Sequence, residues 1–190
     1  MDAVTEAFRA EPRTGFLPEA QRRRASFDGP LDIGHGQTSS QPRTVAEMLR
    51  LLDARPGQRV LDVGSGSGWT TALLAHLTGP RGEVVGVEIE PDLVGFGAAN
   101  LARTDQPWAR IVAAEPGVLG VPSHAPYDRI LVSAAARTLP VDLLEQLAPE
   151  GRMVVPVSGR MVLAVKDRDG RVETSRHGSY RFVPLRRSRR

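Results

Sequence analysis

Val60-Leu61-Asp62-Val63 is a short apolar run broken by one acid, and Gly64-Ser65-Gly66-Ser67-Gly68 follows it at once, ahead of Trp69 and a helical pattern. Such a run reads as a buried strand. The glycines let backbone approach a ligand closely, and the helix start turns free N–H groups toward it. A second apolar strand ends in Glu88, 20 positions after Gly68. A carboxylate there can accept from ribose hydroxyls, so the combination describes a nucleoside-binding α/β domain. Trp69 stands where the dinucleotide fingerprint has its third glycine. That spelling fits S-adenosylmethionine (SAM) better than NAD. A plain tight turn after a strand is the bland alternative, and Glu88 argues against it.

A chain of 190 residues suffices for one domain with a full hydrophobic core. No apolar stretch approaches a membrane span, and the N-terminus lacks a basic-then-apolar leader pattern, so a cytoplasmic location is expected. Cysteine is absent, which excludes disulfides, thiolate catalysis and Cys-based zinc sites. The four histidines have no ligand spacing, and no metal is expected. Net charge is +3, yet the pI is about 10.1. Lys166 is the only lysine among 25 basic residues, and arginine stays protonated far above pH 10, which inflates the pI. The pI is therefore weak support for nucleic-acid binding. Arg22-Arg23-Arg24 and the arginines of the last ten residues form clusters. Residues 186–190 read as a disordered, solvated basic tail, with a phosphate or acidic contact as the alternative.

Residues 2–10 read as a short helix. A Pro- and Gly-punctuated segment follows from Pro12 to Pro42, long for a loop, as lids and binding surfaces are. Val45, Met48, Leu49 and Leu52 share one face of a helix over 44–54. Alternation then predicts strands at 59–63, 83–88, 110–113, 128–133, 153–155 and 160–166, and a last strand reaching about Val183. Helices are expected over 68–78, after Pro91-Asp92, and over 139–147. The expected architecture is a Rossmann-like, mostly parallel seven-stranded sheet with helices on both faces and an antiparallel C-terminal strand. A single domain is expected: 1–42 as a substrate or lid segment, 43–185 as the cofactor-binding core, 186–190 as the tail. In such sheets ligands sit beyond the carboxyl ends of the strands. That rim gathers Asp62 to Gly68, Glu88, Ala114 to Gly117, and Ser133 to Ala136.

A second segment precedes the glycine-rich strand: Gly36-Gln37-Thr38-Ser39-Ser40-Gln41-Pro42. It resembles the signature loop of the protein-L-isoaspartate O-methyltransferases, in which Gly-Gln-Thr-Ile-Ser-Gln-Pro recurs. Pro12-Arg13-x-x-Phe16, Leu61 to Gly68, Ala125 to Val132, Leu143 to Leu147 and Phe182-Val183-Pro184-Leu185 are similar to further stretches of that family. The resemblance covers nearly the whole chain. It implies the class I SAM-dependent methyltransferase fold and methyl transfer from SAM to the side-chain carboxylate of L-isoaspartyl residues. The ester then closes to a succinimide, which starts repair. Isoaspartyl proteins or peptides are the implied partners, and a monomer is expected.

The resemblance also implies roles. Ser40 is the catalytic residue, holding the substrate carboxylate by hydroxyl donation, although it is also placed to cap the helix after Pro42. Cofactor contacts are implied for Gln37, Thr38, Ser39, Asp62, Gly64, Ser65, Gly66, Gly68, Glu88, Ile89, Glu115 and Pro116. Ala135 and Val183 join Ser40 on the substrate. A carboxylate is ionised at neutral pH, so no general base is needed. Orientation and exclusion of water suffice. Asp62 either contacts the cofactor or orders the glycine turn, and Trp69 packs under the cofactor or in the core. His35 is read as shaping its loop.

Two positions depart from the family pattern. Ser39 replaces the usual Ile. Ala114-Glu115-Pro116-Gly117 replaces a usual Gly-Asp-Gly, and Pro116 can neither accept through a side chain nor donate N–H. Glu115 is expected to take over the adenine contact. The competing readings are methylation of a normal Asp in a dedicated peptide, a non-catalytic SAM-binding relative, and a nucleic-acid methyltransferase. The last lacks an Asn-Pro-Pro-aromatic loop, since Ser133-Ala134-Ala135-Ala136 stands there.

Overall fold

Asp2 starts the first helix by accepting from the Thr5 amide at 2.8 Å, the N-cap bond that satisfies an otherwise orphaned donor. The computed structural model describes residues 2–187. Helix α1 spans Ala3–Ala10 and is followed by a 3-10 turn at Arg13–Phe16 and the short α2, Glu19–Arg22. Strands β1 (Leu31–Gly34) and β2 (Gln37–Ser39) form a separate antiparallel hairpin. Where the sequence predicts a long loop over 12–42, the chain therefore carries a helical turn, a helix and a hairpin. These elements are too short for periodicity to register.

Helix α3, Pro42–Leu52, buries Val45, Met48, Leu49 and Leu52 as its spacing predicts. Next come β3 (Arg59–Val63), α4 (Trp69–Thr78), β4 (Glu83–Glu88), α5 (Pro91–Leu101) and β5 (Ala109–Ala113). The chain continues with β6 (Tyr127–Val132), α6 (Val141–Glu145), β7 (Leu147–Val157), β8 (Arg160–Lys166) and β9 (Val172–Ser179). Helix α6 is shorter than the expected 139–147, because Leu147 already belongs to β7. The last strand ends at Ser179, short of the expected Val183.

The main sheet has seven strands in the order β5-β4-β3-β6-β7-β8-β9. β3 pairs in parallel with β4 and β6, β4 with β5, and β6 with β7. β8 is antiparallel to both β7 and β9, so the reversal at Asp169-Gly170 has a partner at Ser158-Gly159. The expected mostly parallel sheet with an antiparallel C-terminal end is the fold observed.

Strand alternation sorts the core into two faces. Val60, Val84, Leu131 and Val154 join the cluster under α1, α3 and α4. Leu61, Val85, Ile130, Met153 and Val155 join the opposite cluster, covered by α6 and the residues around Leu119. Gly86 lies beside Asp62 in register. A Cβ on Gly86 would lie 2.9 Å from Ser65 Cβ and Thr71 Oγ1, so this strand glycine lets the start of α4 press onto the sheet.

Arg186 pairs with Glu90 at 3.2 Å and Arg187 with Asp142 at 2.9 Å. The sequence places these two arginines in a disordered tail; acidic groups on neighbouring elements tie them down instead. Residues 188–190 of that tail lie outside the described residues. Among the described residues no helix is long and apolar enough to cross a membrane.

Candidate active site

A cleft lies beyond the carboxyl ends of β3, β4 and β6, where open α/β sheets of this kind bind their ligands. Gly64 to Ser67 form one wall. The hairpin residues Gln37 to Ser40 form another, and Glu88 and Ile89 a third. Ala114 with Val118 to Gly120, Ser133 and Ala134, and Val183 to Arg186 complete the lining. Most predicted site residues therefore meet in one cleft: Gln37, Thr38, Ser39, Ser40, Gly64, Ser65, Gly66, Glu88, Ile89 and Val183.

Five do not face it. Asp62 is fully buried, and its Oδ2 accepts from the Thr70 and Thr71 hydroxyls, each at 2.7 Å. It thus anchors the first turn of α4 and makes no bond to the backbone of the glycine turn. Burial first, and the nearby Glu88 charge last, push its carboxyl up to about 6 against the hydroxyl donors; its Oδ1 has no partner among the described residues. Gly68 has φ +87, and a Cβ there would come within 2.8 Å of Gly97 O. Its missing side chain serves the approach of α4 to α5. Glu115 and Pro116 are exposed, and the cleft wall beside them is made by Ala114 and by Val118 to Gly120. Ala135 lies behind Val183: its N–H donates to Val183 O and its carbonyl accepts from Leu185 N–H, both at 2.8 Å.

Glu88 holds the glycine turn as well as facing the cleft. Its Oε2 accepts from Gly66 N–H at 2.9 Å, and Oε1 accepts from Ile89 N–H at 2.7 Å and Glu90 N–H at 3.0 Å. An ionised carboxylate has about four acceptor sites, so Oε2 retains one for a ligand hydroxyl. Ser65 Oγ is buried on the cleft wall without a partner among the described residues. An orphaned buried hydroxyl is costly unless a ligand or water meets it.

Ser40 is half-buried, and its hydroxyl makes no hydrogen bond with any described residue. It does not cap α3. Gln41 is the N-cap residue, and its Oε1 accepts from the Thr44 hydroxyl at 3.1 Å. The Ser40 hydroxyl is therefore free toward the cleft.

Two residues that organise the site escape the sequence reading. Arg13 is buried, and its guanidinium donates to Ser39 Oγ and to the carbonyls of Phe27, Gly29, Ser39 and Ser40, at 2.8–3.1 Å. It also lies 5.5 Å from the Trp69 ring centroid, a cation–π distance. Burial lowers its pKa to about 10, which leaves it charged at neutral pH. Its only sequence signal is the Pro-Arg-x-x-Phe resemblance. Gln146, the other, clamps the loop behind Gly120: Nε2 donates to Leu119 O at 2.8 Å, and Oε1 accepts from Val121 N–H at 2.9 Å.

Trp69 packs in the core at the edge of the cleft. It is 3 % exposed, stands edge-on to Phe8, and donates Nε1–H to Glu11 O at 2.9 Å. His35 sits in the hairpin turn at φ 55, with Nε2 3.3 Å from Asp92. No group of three or more metal-ligating side chains occurs among the described residues.

A family model described as protein-L-isoaspartate(D-aspartate) O-methyltransferase matches residues 1–190. The protein-L-isoaspartate O-methyltransferase of Methanopyrus kandleri is 48% identical over 186 residues, covering 96% of this chain and 82% of the relative. That of Aeropyrum pernix is 47% identical over 186 residues, covering 96% and 72%. A Plasmodium falciparum crystal structure assigned to the same enzyme, in complex with S-adenosyl-L-homocysteine, superposes with a TM-score of 0.85 at 27% identity. It covers 98% of this chain and 91% of that one. With a whole-chain family match and relatives this close, the chain belongs to the protein-L-isoaspartate O-methyltransferase family.

Proposed function

We propose that this protein transfers the methyl group of SAM to the free carboxylate of L-isoaspartyl residues in proteins and peptides, so that closure to a succinimide can begin repair. One observation carries the reading beyond family membership. The unbonded Ser40 hydroxyl lines the same cleft as the glycine turn and Glu88, so an acceptor carboxylate and a nucleoside donor can meet there.

The residues fit the cofactor. Glu88 Oε2 has room for a ribose hydroxyl, Ser65 Oγ lacks a partner, and Val118, Leu119 and Ile89 offer apolar surface to a flat base. Glu115 and Pro116 are exposed outside the cleft lining, which favours the apolar wall and backbone over Glu115 for the adenine contact. Bound SAM supplies an electrophilic methyl on a sulfonium.

The chain's own part is orientation. Ser40 Oγ–H donates to one oxygen of the substrate carboxylate and leaves the other to react. Arg13 holds the Ser39 and Ser40 carbonyls, so the hydroxyl is preset rather than searched for. No side chain removes a proton, because the carboxylate arrives ionised. Attack joins an anion to a cation and cancels both charges, which a site with water excluded favours. The hairpin and the strap at 183–186 supply that cover. The strap around Val183 and Leu185 pairs with Ala135 on one side, and strand-like pairing with a substrate main chain on the other is a mode that tolerates many sequences.

The test offers labelled SAM with an isoaspartyl peptide and its normal aspartyl twin. Base-labile label on the isoaspartyl peptide alone is the expected result. Label on the twin alone, or SAM binding without turnover, would overturn the reading. Ser40→Ala should lower kcat/KM for the peptide about 10- to 100-fold, the loss of one hydrogen bond to a charged group, with SAM affinity little changed. The expectations of a monomer and of no action on nucleic acid are checked by light scattering and by offering RNA and DNA.

A further inference from the structure

Succinimide chemistry starts where a backbone N–H can reach the preceding aspartyl carboxyl, and a following glycine removes the side chain that hinders it. Two of the 11 aspartates precede glycine: Asp28 and Asp169. The fold treats them differently. Asp28 Oδ1 accepts from Arg43 N–H at 3.1 Å, and Oδ2 pairs with the Arg43 guanidinium at 3.2 Å. Gly29 is buried, with its carbonyl held by Arg13. Ring closure at Asp28 would dismantle this set.

Asp169 and Gly170 stand exposed at the tip of the β8–β9 hairpin. The Asp169 carboxylate makes no hydrogen bond or ion pair with any described residue. The Gly170 amide donates one long bond, 3.2 Å, to Asp167 O, and Gly170 sits at φ +83. Only exposed turn contacts need to open for the ring to form, and loop tips are where local disorder and proteolytic nicking concentrate.

We propose that Asp169 is a site of isoaspartyl formation in this protein and that a second copy of the chain methylates it, an inference resting on the isoaspartyl activity above. In the first step the Gly170 nitrogen bonds to Asp169 Cγ, and the carboxyl hydroxyl leaves with the amide proton as water. Hydrolysis at the main-chain carbonyl then breaks its bond to that nitrogen, leaving an isoaspartyl linkage and a free carboxylate. One oxygen of that carboxylate bonds to the methyl carbon of SAM while sulfur keeps the C–S electron pair, giving the ester and S-adenosyl-L-homocysteine. Gly170 nitrogen re-closes the ring and expels methanol.

The transfer has to occur between copies. β7 ends at Val157, which bridges to Ala136 at the rim of the cleft. β8 starts opposite Val157 and runs away from that rim to Lys166. Seven extended residues span about 20 Å. The hairpin tip therefore lies at the opposite edge of the sheet from its own cleft.

The experiment ages the full chain in warm neutral buffer without SAM and maps its peptides for an isomerised Asp169. It then adds labelled SAM, with an isoaspartyl peptide as a parallel substrate. The expected result is an isomerised Asp169 peptide that takes base-labile label, absent from aged Asp169→Ser, which still methylates the added peptide. Aged Ser40→Ala chains should become labelled when fresh Asp169→Ser enzyme is added. Failure of Asp169 to isomerise overturns the proposal, as does isomerisation without label while the added peptide is methylated. Labelling unchanged by dilution overturns the transfer between copies. No methylation of the added peptide overturns the activity itself, and with it this inference.

Discussion

Arg13 Nη2 donates to the main-chain carbonyl of Ser40 at 3.0 Å and to that of Ser39 at 2.8 Å, joining the N-terminal segment to the turn that presents the Ser40 hydroxyl. Lysine at this position keeps the charge but cannot span the same carbonyls with a planar fork. Arg13→Lys should raise KM for an isoaspartyl peptide about tenfold or more, a loss of ~1.4 kcal/mol. SAM affinity should move less, since Glu88 and the glycine turn, which Arg13 does not bond, form the rest of the cofactor wall. Steady-state kinetics beside calorimetric titration of SAM separates this positioning role from general destabilisation, which would move both.

Glu88 carries two duties, and substitutions should separate them. Glu88→Gln keeps a carbonyl acceptor but loses the charge, and SAM Kd should rise about tenfold. Glu88→Ala also frees the Gly66, Ile89 and Glu90 amides, so affinity should fall further, to about 100-fold. Titration calorimetry with SAM reads both. Equal effects of the two substitutions would contradict the dual role.

Asp62 gives the stability a pH signature. Burial raises its carboxyl from 3.8 to about 6 in the folded chain. The folded state then holds a proton that the unfolded state has released, so this group's contribution is full below about pH 4 and is lost as pH rises through 6. Asp62→Asn removes this titrating group. The stability of the variant relative to the parent should therefore increase between pH 4.5 and 7.5, on the order of 2 kcal/mol. Thermal melts of both proteins across that range measure it, and a constant difference would refute it.

Gln146 is 4 % exposed and bonds both Leu119 O and Val121 N–H. Gln146→Leu fits an apolar pocket but strands two backbone groups. It should cost about 2–6 kcal/mol of stability, from ~1–3 per buried orphan. SAM affinity should also fall, because Leu119 and Gly120 line the cleft. Urea unfolding gives the first quantity and titration the second.

The sequence made the centre of the fold legible. Arg59–Val63 and Glu83–Glu88 are the strands that their patterns predict, because a strand buried on both faces is a near-continuous apolar run ended by glycine or charge. The glycine turn, Glu88 and the Ser40 loop were readable as parts of one site for a related reason. The carboxyl ends of parallel strands share one rim, whatever their separation in the chain. The N-terminal segment was not readable in this way. Its hairpin is held by one arginine reaching carbonyls 14 to 27 residues away, and carbonyls carry no residue-type signal.

The sequence by itself determined the sheet, the nucleoside cleft and, through resemblance, the chemistry; hydrophobic period and glycine placement are local properties that survive in one dimension. Tertiary structure decided the rest. Asp62 turned one carboxylate oxygen toward the Thr70 and Thr71 hydroxyls, and Gly68 served helix packing. Glu115 stayed outside the cleft wall, and of two Asp-Gly pairs only Asp169 was left with a free carboxylate. Each outcome turns on which polar partner lies within about 3 Å, the reach of a hydrogen bond. Only folding sets those distances.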